Sequence, residues 1–497
     1  MSPRTPLLLL LPGALAGDTI VGSPAVQVNA PAVTKGADVW LCAGTMLKAP
    51  DRLYRAHVPL EDGSSMRVAD KGDLPMDATS DGWKRVQCGS APLQRHGETG
   101  LIVPLAQSDG YHTRGAPAIV SVNASDLNAT ASRRRVKLRA NPVGTIVVPK
   151  KGGDVLLVST DDGFVSEFSL PALAPLRSLE LPYPCTPGYR SLLRTLTLVG
   201  DDVFGVIGCN MQTTPMPGRL QAGLLVRIEP AGLQVAETLS IPGGALPIEP
   251  TLPLAVYGGR KSFYVGSSQD CPADMPYYSA WCPTLQGVSV NCTATASGGN
   301  GQKKTMRLAG SPLGLYTKDF FAQAATAVVT PTGLGPIDGV LLPGTQCPFV
   351  PIPPAASARA NRTSTQDEVA THRRLQSHFP PEPNCTRVHL LAHASLATAT
   401  DGAQRGEAVE AGNGTAFTEK NESAIDRVAA LNSVGAVYAL LTPLPNLGAG
   451  AGDLILAVAA GRAVSDAESL LKLRLSWQGH GLSVLERLPL PSVPIPP

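Results

Sequence analysis

Charge is scarce in this chain of 497 residues: Asp, Glu, Lys and Arg make up 16%, and the formal balance is +2. Soluble domains carry about 25% charged residues. So sparse and balanced a set does not give the broad basic footprint that holds nucleic acid or an anionic membrane surface. Aromatic residues are few as well, at 5%, so any cluster of them stands out. No apolar run reaches the ~18 residues of a membrane span; Leu454–Val464 comes nearest and contains Arg462. The C-terminal LPLPSVPIPP lacks the apolar tail of a lipid-anchor signal. Local catalytic signatures are missing too: no G-x-S-x-G, H-E-x-x-H, G-x-x-x-x-G-K-[ST], EF-hand loop or C-x-x-C. An enzyme that assembles its site from distant segments is untouched by that absence.

What is abundant is punctuation. With 50 glycines and 46 prolines, the chain exceeds the usual joint share of about 12%, which suits short strands joined by many turns. The most readable unit is Gly144–Pro182, GTIVVPKKGGDVLLVSTDDGFVSEFSLPALAPLRSLELP. Thr145–Val148 and Asp154–Ser159 are β-branched or leucine-rich runs separated by Lys150-Lys151-Gly152-Gly153. Asp161-Asp162-Gly163 signals a tight turn, because glycine accepts the positive φ of hairpin turns. Gly163–Leu170 and Leu176–Leu181 then alternate apolar and polar residues, the mark of half-buried strands. Four antiparallel strands in one short stretch make a propeller blade or a sandwich corner.

The outer hairpin of this unit recurs, opening at Leu53, Ile119, Val165, Leu225, Val288, Val388 and Leu471, with Val388 the poorest copy. Inner strand pairs precede most copies: Val39–Gly44, Leu101–Ala106, Thr195–Val199 with Val203–Gly208, Leu254–Tyr257 with Ser262–Gly266, and Val434–Leu441 with Leu454–Ala459. This periodicity predicts an all-β chain, a β-propeller of about seven four-stranded blades. The alternative is tandem β-sandwiches divided near Ala245–Pro253. As a whole, across roughly Val39–Pro491, the chain resembles secreted β-propeller repeat proteins of the YVTN/NHL kind, without the aspartate-tryptophan signature of WD repeats. The resemblance implies a scaffold with a channel and loop-decorated faces, and it transfers no catalytic residue. Asp18–Val28 is expected to pair with Leu482–Leu490 and so close the ring. Asp319–Ala327 and Ser465–Leu471 are expected to form a turn or two of helix.

Arg4, the apolar run Leu7–Leu11 and the small-x-small end Ala14-Leu15-Ala16 have the layout of a secretory signal peptide over 1–16, leaving the propeller domain at 17–497. Seven sequons agree with it: Asn123, Asn128, Asn291, Asn361, Asn384, Asn413 and Asn421. The nine cysteines fit an oxidising compartment. Candidate disulfide partners are Cys42 with Cys88, Cys185 with Cys209, and Cys347 with Cys385. Cys271, Cys282 and Cys292 share one loop-rich region, and connectivity does not follow from sequence. The segment 347–385, rich in Pro, Ser, Thr and charge, and the polar loop 400–423 are expected to stay irregular. These features together predict a secreted or lumenal glycoprotein.

Four motifs are candidates for chemistry. Ser159-Thr-Asp161-Asp-Gly163 resembles the first half of the sialidase Asp-box, a structural turn in that family, with Val165-Ser166 in place of its Thr-Trp; an ordinary hairpin turn explains it equally. His389 and His393, four apart, would hold a metal only with a carboxylate from elsewhere; otherwise they are hydrogen-bonded histidines. Arg133-Arg134-Arg135 and Arg373-Arg374 are solvated turn or loop residues, protease sites, or contacts for sulfated glycans. Tyr277, Tyr278 and Trp281, the one aromatic cluster, offer either a recognition surface or a small core under their loop. Two functions follow. The favoured one is a noncatalytic scaffold for a protein or glycan; no cofactor is expected. The other is a lactonase- or esterase-type propeller hydrolase with calcium or zinc, drawing on Asp154, Asp201, Asp202 and Asp453.

Overall fold

The computed structural model describes residues 26–28, 36–43, 52–59, 64–74, 86–88, 91, 93–107, 117–129, 134–182, 190–199, 201–210, 223–241, 255–257, 262–270, 281–294, 302–314, 321–322, 326–329, 337–345, 386–392, 437–440, 453–461, 467–476 and 481–490. Their regular structure is entirely β, in seven antiparallel sheets built from strands consecutive in sequence. Sheet I holds β1 (Val26–Val28), β2 (Gly36–Ala43), β3 (Arg52–Pro59) and β4 (Arg67–Asp73). In sheet II, β5 (Val86–Cys88) and β6 (Gln94–His96) share one edge of β7 (Gly100–Gln107), followed by β8 (Ala118–Asn123) and β9 (Arg134–Lys137). Sheet III is the readable unit itself: β10 (Pro142–Val148), β11 (Val155–Thr160), β12 (Phe164–Ser169) and β13 (Pro175–Glu180). Gly163, at φ +87°, makes the turn between β11 and β12.

Sheet IV contains β14 (Arg190–Val199), β15 (Asp202–Asn210), β16 (Gly223–Glu229) and β17 (Gln234–Ile241). Sheet V contains β18 (Ala255–Tyr257), β19 (Ser262–Asp270), β20 (Trp281–Ala294) and β21 (Gln302–Gly314). In sheet VI, β22 (Phe321–Ala322) and β23 (Thr326–Val329) pair with β24 (Ile337–Thr345), which carries β25 (Thr386–Ala392) on its other edge. Sheet VII contains β26 (Val437–Leu440), β27 (Asp453–Gly461), β28 (Ala467–Ser476) and β29 (Gly481–Pro489).

Each sheet packs on the next in chain order, and this follows from strands that are apolar on both faces. In β7, Leu101 and Val103 join Trp40 and Leu53 of sheet I. Ile102, between them in sequence, joins Leu156 and Phe168 of sheet III. Leu157 and Val165 turn the other way, onto Leu193, Val203 and Val226 of sheet IV. Phe204 and Leu225 meet Val288 and Met306 of sheet V. Successive side chains of a strand point to opposite faces, so an inner strand between two neighbours reads as a continuous apolar run. Burial of each such side chain contributes about 1.5–3 kcal/mol. The fourth strands face solvent at the rim, where β17 alternates exposed and half-buried residues. Sheets V, VI and VII continue the series, and β28 of sheet VII lies beside β2 of sheet I. Seven radial sheets in a ring are a β-propeller; two sandwiches would instead mix strands from distant parts of the chain.

Three expectations are corrected. Among the described residues the ring is not closed by pairing first and last segments: β1 pairs with β2, and β29 with β28. Closure comes from side chains, with the Met66 N–H donating to both carboxylate oxygens of Glu486 at 2.9 Å. Among the described residues neither expected helix is present: Phe321–Ala322, Thr326–Val329 and Ala467–Ser476 are strands. In the last, Leu471, Leu473 and Leu475 alternate with Lys472 and Arg474, a period of two that pairing with β27 selects over the helical start signal at Ser465. At Val388 there is one described strand, β25, and the rest of the expected hairpin lies outside the described residues.

Candidate functional site at the two ends of the ring

Antiparallel order sorts the connections. Turns between first and second strands, and between third and fourth, emerge at one end of every sheet. Links between second and third strands, and from one sheet to the next, emerge at the other. At the first end lie the short turns 97–99, 170–174, 200–201 and 230–233; at the second, beside the tight turn 161–163, the wide connections 211–222, 242–254, 271–280 and 346–385, while 393–436 leaves β25 at the first end and enters β26 at the second. Tyr277 and Tyr278 belong to 271–280 and lie outside the described residues. Trp281 opens β20 directly opposite Asp270, so the β19–β20 ladder runs right up to this segment and delivers it to the long-loop end.

The short-turn end carries most of the described ion pairs, and one device repeats there; Arg52 with Asp73 and Arg139 with Asp162 lie at the other end. In four outer hairpins a charged residue on the third strand, at a β-bulge, faces an opposite charge on the fourth: Arg55 and Asp70, Glu167 and Arg177, Arg227 and Glu237, Lys472 and Glu486. The fourth-strand member then reaches the backbone of the following sheet. Asp70 Oδ2 accepts from the Leu127 N–H at 2.8 Å. Arg177 Nη2 donates to the carbonyls of Pro230 and Ala231 at 2.9 and 2.8 Å. Glu237 Oε1 accepts from the Met306 N–H at 2.9 Å, and Glu486 holds Met66 likewise.

Sheet III shows the electrostatics most fully. Glu167 is buried and receives Lys150 Nζ at 2.6 Å and Arg177 Nε at 2.5 Å. Lys150 also donates to the Pro230 carbonyl at 2.8 Å. Desolvation is the largest single influence on Glu167 and pushes its pKa up, but the Arg177 and Lys150 hydrogen bonds and charges together hold it below the ordinary carboxylate value. In sheet IV, Asp202 lies between Lys304 Nζ at 2.8 Å and Arg227 Nη1 at 3.5 Å.

At the seam of sheets I and II, Arg95 stands over the Trp40 ring, 4.5 Å from its centroid, and Trp40 Nε1 donates to the Ala124 carbonyl at 2.9 Å. Burial lowers the Arg95 pKa, and the charge of Asp38 opposes that shift. Asp38 Oδ1 also meets His57 Nδ1 at 3.0 Å across the β2–β3 ladder. Sequence reading missed this cluster and the repeated pairs. A signal for the pairs existed: a charge set within a third strand next to apolar residues, as Glu167 in FVSEFS or Arg227 in GLLVRIE.

The motif at Ser159–Gly163 is a structural turn. Asn141 donates through its backbone N and Nδ2 to Asp161, Thr160 Oγ1 donates to Asp162 at 2.6 Å, and Ser159 Oγ donates to the Leu193 carbonyl of sheet IV at 2.5 Å. His389 lies in β25 opposite Leu342, while His393 lies outside the described residues. Asp154 faces His96 Nδ1 at 3.6 Å, Asp201 is an exposed turn residue, and Asp453 opens β27. Among the described residues no three His, Cys, Asp or Glu gather as a metal site.

Cys42, Cys88, Cys209 and Cys282 lie in β2, β5, β15 and β20. Cys185, Cys271, Cys347 and Cys385 lie outside the described residues, as do Asn361, Asn384, Asn413, Asn421 and residues 1–16. Asn291 is in β20. Asn123 is half-buried at the end of β8; Asn128 is exposed and its Nδ2 donates to the Lys71 carbonyl at 2.8 Å. The Arg133 run is not a turn as expected, since Arg134 and Arg135 are in β9.

No protein-family model matches the chain, and no curated protein matches it in sequence. Among solved structures it is similar to the Dos1 propeller at 9% identity, with 96% of this chain and 86% of that one covered and a TM-score of 0.42. It is similar to the Pan2 WD40 domain of Neurospora crassa at 8% identity, covering 88% and 86%, with a TM-score of 0.40. For BamB from Moraxella catarrhalis the values are 9% identity, 88% and 81% covered, and a TM-score of 0.34. Likeness at this level carries no residue and no role across, and the propeller assignment rests on the sheet order and the ring of neighbours.

Proposed function

We propose that this chain is a secreted or lumenal N-glycosylated propeller that acts as a noncatalytic binding scaffold, engaging a protein or glycan at its long-loop end. The observation that carries the reading is the division between the ends. The charge pairs of the short-turn end join sheet to sheet, whereas the wide connections, including the segment with Tyr277 and Tyr278, belong to the other end. Tyrosine and tryptophan supply contact area at low entropic cost and are enriched among residues that dominate binding energy. The signal-like start and the seven sequons support the compartment.

The test is cross-linking of the glycosylated protein, alongside the combined Tyr277→Ala, Tyr278→Ala, Trp281→Ala variant, and identification of what each captures. The expected result is loss of a captured partner at an unchanged melting temperature; equal capture by both proteins removes the site. The alternative, a calcium- or zinc-dependent lactonase or esterase, needs ligands other than Asp202, whose carboxylate already faces two cations. Stoichiometric metal in the purified protein would turn the reading toward it.

A further inference from the structure

The outer strand of sheet II departs from the pattern of sheets I, III, IV and VII. In β9, Arg134 stands opposite Ser121 and Lys137 opposite Ala118, so the third strand sets no carboxylate across from these two cations. Arg134 and Lys137 are exposed. Beyond the strand, Arg139 keeps 59% of its side chain exposed, pairs with Asp162, and stands 3.9 Å over the Phe164 ring. From 123 to 139 the sequence has five cations (Arg133, Arg134, Arg135, Lys137, Arg139) and one carboxylate (Asp126), a balance of +4. The whole chain balances at +2, so everything else sums to −2. The positive charge is a local concentration, not a general property.

We infer that β9 and its rim form the docking site of a linear anionic polysaccharide of the sulfated kind. Along an outer strand residues advance about 3.3 Å apiece with side chains alternating between the two faces, so the cations of β9 line both sides of the sheet edge as a narrow row. A row complements a linear polyanion, and neutralising several of its charges releases condensed counterions and gives strongly salt-dependent binding. The choice of a sulfated glycan over nucleic acid rests on the secretory-pathway reading above.

Heparin is the probe. The purified glycoprotein is run on immobilised heparin and on a sulfopropyl cation exchanger over one salt gradient, and its Kd for heparin is measured by titration. The expected result is later elution from heparin than from the exchanger, and a Kd weakened on the order of tenfold by Arg134→Gln with Lys137→Gln. Arg67→Gln with Lys71→Gln, which removes equal charge from exposed positions of β4, leaves the Kd unchanged. Equal loss in the two variants, or equal retention on the two matrices, overturns the proposal. Duplex DNA competing as well as heparin also overturns it. Glycosidase sensitivity of the protein recovered from medium tests the compartment separately: an unglycosylated chain that still binds heparin through β9 retains the site and fails only the secretory reading.

Discussion

In sheet III the buried carboxylate of Glu167 is on the third strand and its cation Arg177 on the fourth, whereas in sheet IV the buried cation Arg227 is on the third strand and its carboxylate Glu237 on the fourth. Both pairs stand at a β-bulge, and both outer members reach the next sheet. The sign determines only which backbone group is engaged: Arg177 takes carbonyls and Glu237 takes an N–H. Position at the bulge, rather than residue type, makes the joint. Sheet II, with Ala118–Asn123 as its third strand, sets no such pair across from Arg134 and Lys137 of its outer strand, and both are exposed.

The largest expected effect breaks the sheet III joint. Glu167→Ala leaves Lys150 and Arg177 facing each other without a carboxylate, and costs about 3 kcal/mol in denaturant unfolding, the low end for breaking a buried pair because both cations are partly exposed. A cost under about 1 kcal/mol would put this joint with ordinary surface pairs. The same carboxylate sets an acid limit. Its pKa is depressed by Arg177 and Lys150 despite desolvation, so its stabilisation is complete above the unfolded carboxylate value of about 4.3. That stabilisation is lost as pH falls through the lower folded value. The stability gap between wild type and Glu167→Gln should therefore close on acidification, and a gap independent of pH would sink the assignment.

A smaller effect sharpens the comparison at the ring closure. Glu486→Gln keeps one acceptor for the Met66 N–H but loses the charge, and should cost about 1 kcal/mol in thermal unfolding. A larger cost there than at Glu167 would mean that the last joint, not the third, limits the ring. Smallest is Arg95→Lys, expected to cost about 0.5–1 kcal/mol through the weaker stacking of an ammonium on Trp40, read by the same unfolding curves.

How much was legible depended on local signal. Gly144–Pro182 declared four strands because the turn glycine, the β-branched runs and the period of two all agreed, and sheet III has them at those places. Ser465–Leu471 misled because a capping residue and acidic followers are local, while the leucine alternation that prevailed runs to Ser476 and depends on a partner strand. The N-terminal segment misled because pairing ring ends is one of two ways to remove a sheet edge; the chain uses an inner strand and a carboxylate bridge instead. The Asp38, Trp40, His57 and Arg95 cluster was invisible because it gathers residues from β2, β3 and β6 with no common motif.

By itself the sequence determined the repeat: turn residues and apolar periodicity act within a few residues of each other, so six of the seven outer hairpins and most inner strands could be read in order, the hairpin at Val388 lying largely outside the described residues. Only the tertiary structure decided which end of the ring each loop serves, and which charges face a partner in the neighbouring sheet. Those contacts join residues far apart in sequence, from Arg177 to Pro230 and from Met66 to Glu486, and no local pattern encodes the distance between them.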